Sequence, residues 1–206
     1  MADPFRSHAA AYDQWFETHE PAYVSERRAL ESLRPEGSRS LAVGVGTGRF
    51  AAPLDITIGI DPAPDMLSIA VDRGIEGVRG VGEHLPFQSN SFDLLLAVTT
   101  VCFFDDIGVA LHEGRRVLEP GGHILLGFID RESPVGQQYE RTKDENPFYR
   151  EATFVTVAEI RSLLGSAGFE SIETRQTVFT DPEMDEPDPV RSGTGTGSFV
   201  ALRALA

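Results

Sequence analysis

Between residues 40 and 129 the chain alternates short apolar runs with amphipathic segments, and this alternation restricts the fold more than any other feature. The runs lie near 40–45, 56–60, 77–81, 92–98 and 123–129, with helical patterns near 64–73 and 107–118 between them. Strands alternating with helices predict a parallel sheet covered on both faces. Parallel strands buried on both sides read as unbroken apolar stretches, and Leu94-Leu95-Leu96-Ala97-Val98 is one. Further on, Thr156 and Glu159 have the spacing of a capping box, and Gly168 stands where a left-handed residue would stop that helix. Two strands are expected to close the chain, near 169–180 and 197–202. The acidic, proline-rich stretch 181–189 between them reads as a solvated loop. Two strands in succession break the alternation, so one of them is expected to enter the sheet antiparallel.

The region 5–34 has a different character. It reads as helical and rich in aromatics (Phe5, Tyr12, Trp15, Phe16, Tyr23), with a break at Pro21 and an end at Pro35-Glu36-Gly37. A length of 206 residues suits one domain, 1–206, at ~100–200 residues per domain. Acids outnumber bases 32 to 18, a net charge of -14. That balance argues against nucleic acid as a partner, which needs clustered cations, and against an anionic membrane surface. The lone cysteine, Cys102, excludes an internal disulfide framework and a cysteine-cluster zinc site. The five histidines are scattered without metal-ligand spacing. The run 94–104 contains two threonines and is too short to cross a bilayer, and the first ten residues lack a signal-peptide core. The expected class is a cytoplasmic protein without a metal, its oligomeric state left open.

Four motifs carry chemistry. Val43-Gly44-Val45-Gly46-Thr47-Gly48-Arg49 follows the first strand, where glycines let backbone approach a ligand and helical N–H groups face it. Its GxGxG spacing departs from the dinucleotide GxGxxG, and Pro53 keeps the following helix very short. Gly59-Ile60-Asp61-Pro62 places an acid at the end of the second strand, where a carboxylate can accept both hydroxyls of a ribose. The alternative is an Asp that merely starts the helix at Pro64. Met66, one turn on, is either core or a soft cover for a flat ring. The third motif is Gly82-Glu83-His84-Leu85-Pro86-Phe87, followed by Asn90-Ser91-Phe92-Asp93. The fourth is Arg115-Arg116-Val117-Leu118-Glu119-Pro120-Gly121-Gly122-His123, a helix end expected to turn at Pro-Gly-Gly straight into a strand.

With these four in this order, the sequence resembles the class I S-adenosylmethionine-dependent methyltransferases, and within them the group that includes ubiquinone- and menaquinone-biosynthesis enzymes. The resemblance covers about 38–130 and continues more loosely to 159–170. It implies an α/β Rossmann-like sheet of seven strands in the order 3-2-1-4-5-7-6, strand 7 antiparallel, with an N-terminal helical lid over 1–36. It implies that Gly44, Val45, Gly46 and Gly48 cradle the methionine part of S-adenosylmethionine. Asp61 with Pro62 would hold the ribose and Met66 would cover the adenine. Gly82 and Glu83 would meet the adenine edge, and Val98 would line the sulfonium side.

Three positions depart from the family pattern. Ala42 stands where an acid usually organises the methionine ammonium. Val81 stands where an Asp often takes the adenine amino group, a loss for which Glu83 could partly compensate. Cys102 and Phe103 stand where many members carry a His pair.

A sulfonium methyl is already electrophilic, so the reaction demands alignment more than a dedicated base. No catalytic residue is therefore singled out. For a small-molecule acceptor, the expected pocket residues are Tyr12 and Trp15 of the lid, Cys102, and Asp130 and Arg131 after the fifth strand. Tyr139 completes the set, from a stretch 131–153 read as an inserted cap. Two other readings stay open: a nicotinamide-dependent oxidoreductase, and a homologue that binds the cofactor, or has lost it, without catalysis.

Overall fold

The computed structural model describes residues 5, 8–36, 39–179 and 183–206. Helices α1 (Ala9–Thr18) and α2 (Glu20–Glu31) come first, with His19 between them. The break falls at His19 because Pro21 fits the first turn of α2, where its missing N–H is not needed. Gly37, and the start of the acidic loop at 181–189, lie outside the described residues.

The sheet then builds through β1 (Ser40–Val43), β2 (Ile58–Asp61), α3 (Pro64–Asp72), β3 (Glu76–Arg79), β4 (Phe92–Val98), α4 (Ile107–Val117) and β5 (Leu118–Ile129). The stretch after β5 contributes α5 (Pro134–Thr142). The chain ends with α6 (Val157–Ser166), β6 (Glu170–Thr177), β7 (Arg191–Ser192) and β8 (Phe199–Leu205). The order across the sheet is β3-β2-β1-β4-β5-β8-β6-β7. The first five strands are parallel, and the last long strand lies antiparallel between β5 and β6.

This is the expected order with one addition, the two-residue β7 on the edge beyond β6. The Gln176 side chain donates to the Ser192 carbonyl at 3.3 Å and accepts the N–H groups of Thr196 and Gly197, at 2.9 and 2.8 Å, and so holds β7 and the turn that leads from it to β8. Two residues are too few to leave a hydropathy pattern.

β4 shows why its sequence is uniformly apolar. Leu95 and Ala97 face a core shared with Leu111 of α4 and Ile160 and Leu164 of α6. Leu94, Leu96 and Val98 face the other core, with Ala29 and Leu30 of α2. Both faces are dry, so alternation has no polar half. Fully burying one such leucine contributes about 1.5–3 kcal/mol.

Two helix ends agree closely with the sequence. The Thr156 hydroxyl accepts the Glu159 N–H at 3.1 Å while the Glu159 carboxylate accepts the Thr156 N–H at 2.7 Å. Gly168 closes α6 at φ +87°. The Pro-Gly-Gly expectation needs correction. Leu118 already pairs with Phe92, so Pro120-Gly121-Gly122 lies inside β5 as an irregularity of the ladder. A Cβ at Gly122 would be squeezed between the carbonyls of Glu119 and Asp93.

Candidate active site

The glycine turn joins β1 to the rest of the site, and each glycine has its own reason. Gly44, Gly46 and Gly48 all have positive φ, at 63°, 54° and 81°. A Cβ on Gly44 would overlap the Thr100 side chain, and one on Gly48 would press on Ala70 and Ile75. Gly46 alone opens onto space: its nearest neighbour would be a Tyr12 ring carbon at 4.0 Å. Gly48 therefore serves packing against α3, while Gly46 presents bare backbone to the cleft. Val45 donates its N–H to Ile60 at 3.0 Å and fills the space above Gly59. Pro53 limits the helix after the turn to a single 3-10 turn, Ala52–Leu54.

Asp61 ends β2 beside this turn, with only 8% of its surface exposed. One carboxylate oxygen accepts the Gly46 N–H and the other the Ala63 N–H, both at 2.9 Å. Burial pushes its carboxyl up, against the pull of these two bonds. Each oxygen keeps a second lone pair, which suits a vicinal diol. Asp61, Pro62, Met66, Gly82 and Val98 share the wall of one cleft of ≈ 320 Å³ with Gly44 and Gly46. Met66 is also buried to 1% exposure, so its core and wall roles coincide. Glu83 reaches the same wall, but its Oε1 accepts the N–H groups of Asp105 (2.7 Å) and Asp106 (3.3 Å) and so pins that loop.

A second hollow of ≈ 110 Å³ adjoins the first, sharing Tyr12 and Thr99 with it. Trp15 of α1, and Tyr139, Phe148 and Tyr149 from the stretch after β5, supply further aromatic walls. Tyr139 stacks on Tyr149 at 5.1 Å, and Trp15 on His19 at 4.4 Å.

The structure does not bring three expected pocket residues to this hollow. Cys102 lies behind Thr99, packed with Ala152 and Phe154, and burial pushes its thiol up to about 12. The Asp130 carboxylate accepts the Glu132 N–H at 3.2 Å and its carbonyl takes the Ser133 hydroxyl at 2.6 Å, so it shapes the turn after β5. Arg131 turns to the Phe154 carbonyl (2.9 Å) and to Glu159 (2.7 Å), tying β5 to the start of α6. Charge at a strand end was a fair signal, but here these charges hold a turn.

Three features were missed. Thr99 has φ +49°, uncommon for a β-branched residue, and stands where the two cavities meet. Glu26 of α2 lines the aromatic hollow at 6% exposure, and burial pushes its carboxyl up to about 8. Asp13 of α1 binds both Arg49 and Arg73. Among the described residues no group of His, Cys, Asp and Glu could hold a metal, and no helix is long and apolar enough to cross a membrane.

A mostly parallel sheet of this order, with its last long strand antiparallel, a glycine turn after β1 and a carboxylate closing β2 over one cleft, defines a class I methyltransferase fold. Comparison with known proteins agrees. Residues 41–126 match the methyltransferase domain family. A protein of Methanocaldococcus jannaschii is 40% identical over 97% of both chains. The ubiquinone biosynthesis O-methyltransferase of Azorhizobium caulinodans is 32% identical over 75% of this chain and 68% of its own. A crystal structure from Thermotoga maritima superposes with a TM-score of 0.94 at 44% identity, covering 98% and 97% of the two chains. It is described as an S-adenosylmethionine-dependent methyltransferase, possibly a histamine N-methyltransferase. The chain belongs to the S-adenosylmethionine-dependent methyltransferases and is an enzyme of that class.

Proposed function

We propose that this protein binds S-adenosylmethionine in the larger cleft and methylates a small organic acceptor seated in the aromatic hollow. The observation that carries the reading is that the two cavities lie side by side, with Tyr12 and Thr99 lining both. The residues present fit the cofactor: Gly46 offers uncovered backbone, and Asp61 is fixed with lone pairs to spare. In this reading Asp61 and Pro62 hold the ribose, Met66 and Gly82 bound the adenine, and Gly44, Val45 and Gly46 border the methionine. Gly48 supports the turn from behind.

The cofactor, when bound, supplies an electrophilic methyl group. This chain's part is to hold the acceptor in line and exclude water, which alone is worth much of the rate. Helix α1 acts as the lid and 131–153 as the cap. The hollow limits what enters: a dry cavity of about 150 Å³ admits one benzene ring. A space of ≈ 110 Å³ therefore suits a single small ring or a short chain. A long-tailed quinone does not fit whole. The net charge of -14 supports a small molecule over nucleic acid as acceptor, and a cytoplasmic setting is part of the same reading.

The test is transfer of labelled methyl from S-adenosylmethionine into a panel of small amines, phenols, acids and thiols. Label in a low-mass product, lost in Asp61→Ala, supports the reading. Hydrolytic background alone across the panel contradicts it.

A further inference from the structure

Glu26 lies on the buried stripe of α2 with Ala22, Ala29 and Leu30, yet its side chain forms part of the wall of the aromatic hollow. Among the described residues nothing donates a hydrogen bond or ion pair to its carboxylate, and burial is the one influence on its titration. Its neighbours are committed elsewhere. The Ser25 hydroxyl donates to the Pro21 carbonyl at 2.7 Å and accepts the Asp188 N–H at 2.8 Å. Arg27 turns to Glu31 at 3.2 Å and to the Tyr23 ring. The Asp188 carboxylate accepts the Phe179 N–H at 2.7 Å. Tyr12 and Tyr149 face Glu26, and burial pushes both phenols up, so both stay neutral around physiological pH. No described Lys or Arg lines the hollow.

A buried carboxyl without a partner is costly, and the cost is relieved by a ligand that brings its own donor. The walls decide which kind. An anion would meet a carboxyl and no cation. A neutral alcohol gains nothing from the surrounding rings beyond its apolar contact. A cationic nitrogen gains from the surrounding aromatic rings, Tyr12, Trp15 and Tyr149 among them, as well as from the carboxylate.

We propose that Glu26 is the acceptor-recognition residue, and that the group it recognises is a basic nitrogen, making the acceptor class small aromatic or aliphatic amines. This rests on the methyl-transfer reading above. Near neutrality Glu26 holds a proton of its own, and an incoming ammonium holds another. The buried pair keeps one between them, so binding releases the other to solvent.

The test is isothermal titration of the full chain with propylamine, 1-propanol and propionate, which suit a hollow of ≈ 110 Å³. Each is run near neutral pH in two buffers of different ionisation enthalpy, with S-adenosylhomocysteine titrated separately. Propylamine is expected to bind about tenfold or more tightly than the alcohol, with release of most of one proton. Glu26→Gln should abolish both the preference and the proton release while keeping S-adenosylhomocysteine affinity. If that variant does not fold, the two-buffer experiment on the natural chain decides alone. Equal binding of amine and alcohol, no amine binding to millimolar concentration, or proton release that persists in Glu26→Gln overturns the inference. S-adenosylhomocysteine binding without amine preference overturns this inference only. Amine preference without S-adenosylhomocysteine binding overturns the methyl-transfer reading and leaves Glu26 as an amine site.

Discussion

The Asp13 carboxylate on α1 receives the Arg49 guanidinium through both oxygens, at 2.9 and 2.8 Å, so this helix is latched directly to the glycine turn. Arg73, at the end of α3, donates to the same carboxylate at 2.8 Å and to the Thr47 carbonyl at 2.6 Å. Burial works against a charge on Asp13, but the bonds from Arg49 and Arg73 outweigh it and hold the carboxyl below the usual range. One acid thus joins three elements that border the cleft.

Asp13→Asn should therefore loosen α1 from the glycine turn. The change leaves two partly buried arginines short of their counter-charge, at a cost of the order of 2–3 kcal/mol. Urea unfolding reads this cost, and a double-mutant cycle with Arg49→Gln should show coupling. Independent, additive effects of the two changes would contradict the latch. Because the folded carboxyl titrates lower than the unfolded one, this contribution is present above the ordinary carboxylate range and fades as pH falls below it.

Gly44→Ala and Gly46→Ala should separate folding from binding. The first would drive a methyl into Thr100, so it should lower stability sharply. The second meets no atom closer than 4.0 Å and should cost only about 1 kcal/mol of backbone strain. Its methyl would stand in the cleft, so loss of S-adenosylhomocysteine affinity should exceed loss of stability. Thermal melts with and without ligand measure both.

Glu26 should impose a pH dependence on stability. Its carboxyl is raised from 4.5 to about 8 on folding. The folded state therefore holds the proton longer, and the associated stability is complete below about 4.5 and lost as pH rises to about 8. Relative to Glu26→Gln, the natural chain should weaken across that window. Parallel pH profiles of the two proteins would contradict this.

Thr156→Ala is the control away from the site. Losing the capping bond should cost about 1 kcal/mol. Affinity for S-adenosylhomocysteine should not change, since the cap lies at the start of α6.

The sheet was legible because its central strands β1, β2 and β4 are dry on both faces, and the cleft because glycines and Asp61 must stand at fixed offsets from β1 and β2. The acceptor side was not. Asp130 and Arg131 carry charge at a strand end, but sequence does not reveal that a turn and α6 use that charge up. Glu26 left a signal that went unread: an acid that shares a helical stripe with the apolar Ala22, Ala29 and Leu30. Asp13, Arg49 and Arg73 meet only through the tertiary fold, so no local spacing marks them.

The most direct test of the cofactor assignment is calorimetric titration of the natural chain and Asp61→Ala with S-adenosylmethionine, S-adenosylhomocysteine and NAD. The expected result is micromolar binding of both sulfur nucleotides despite Ala42 and Val81, its loss in Asp61→Ala, and no binding of NAD. Binding of NAD in their place, or no binding of either sulfur nucleotide, would contradict it.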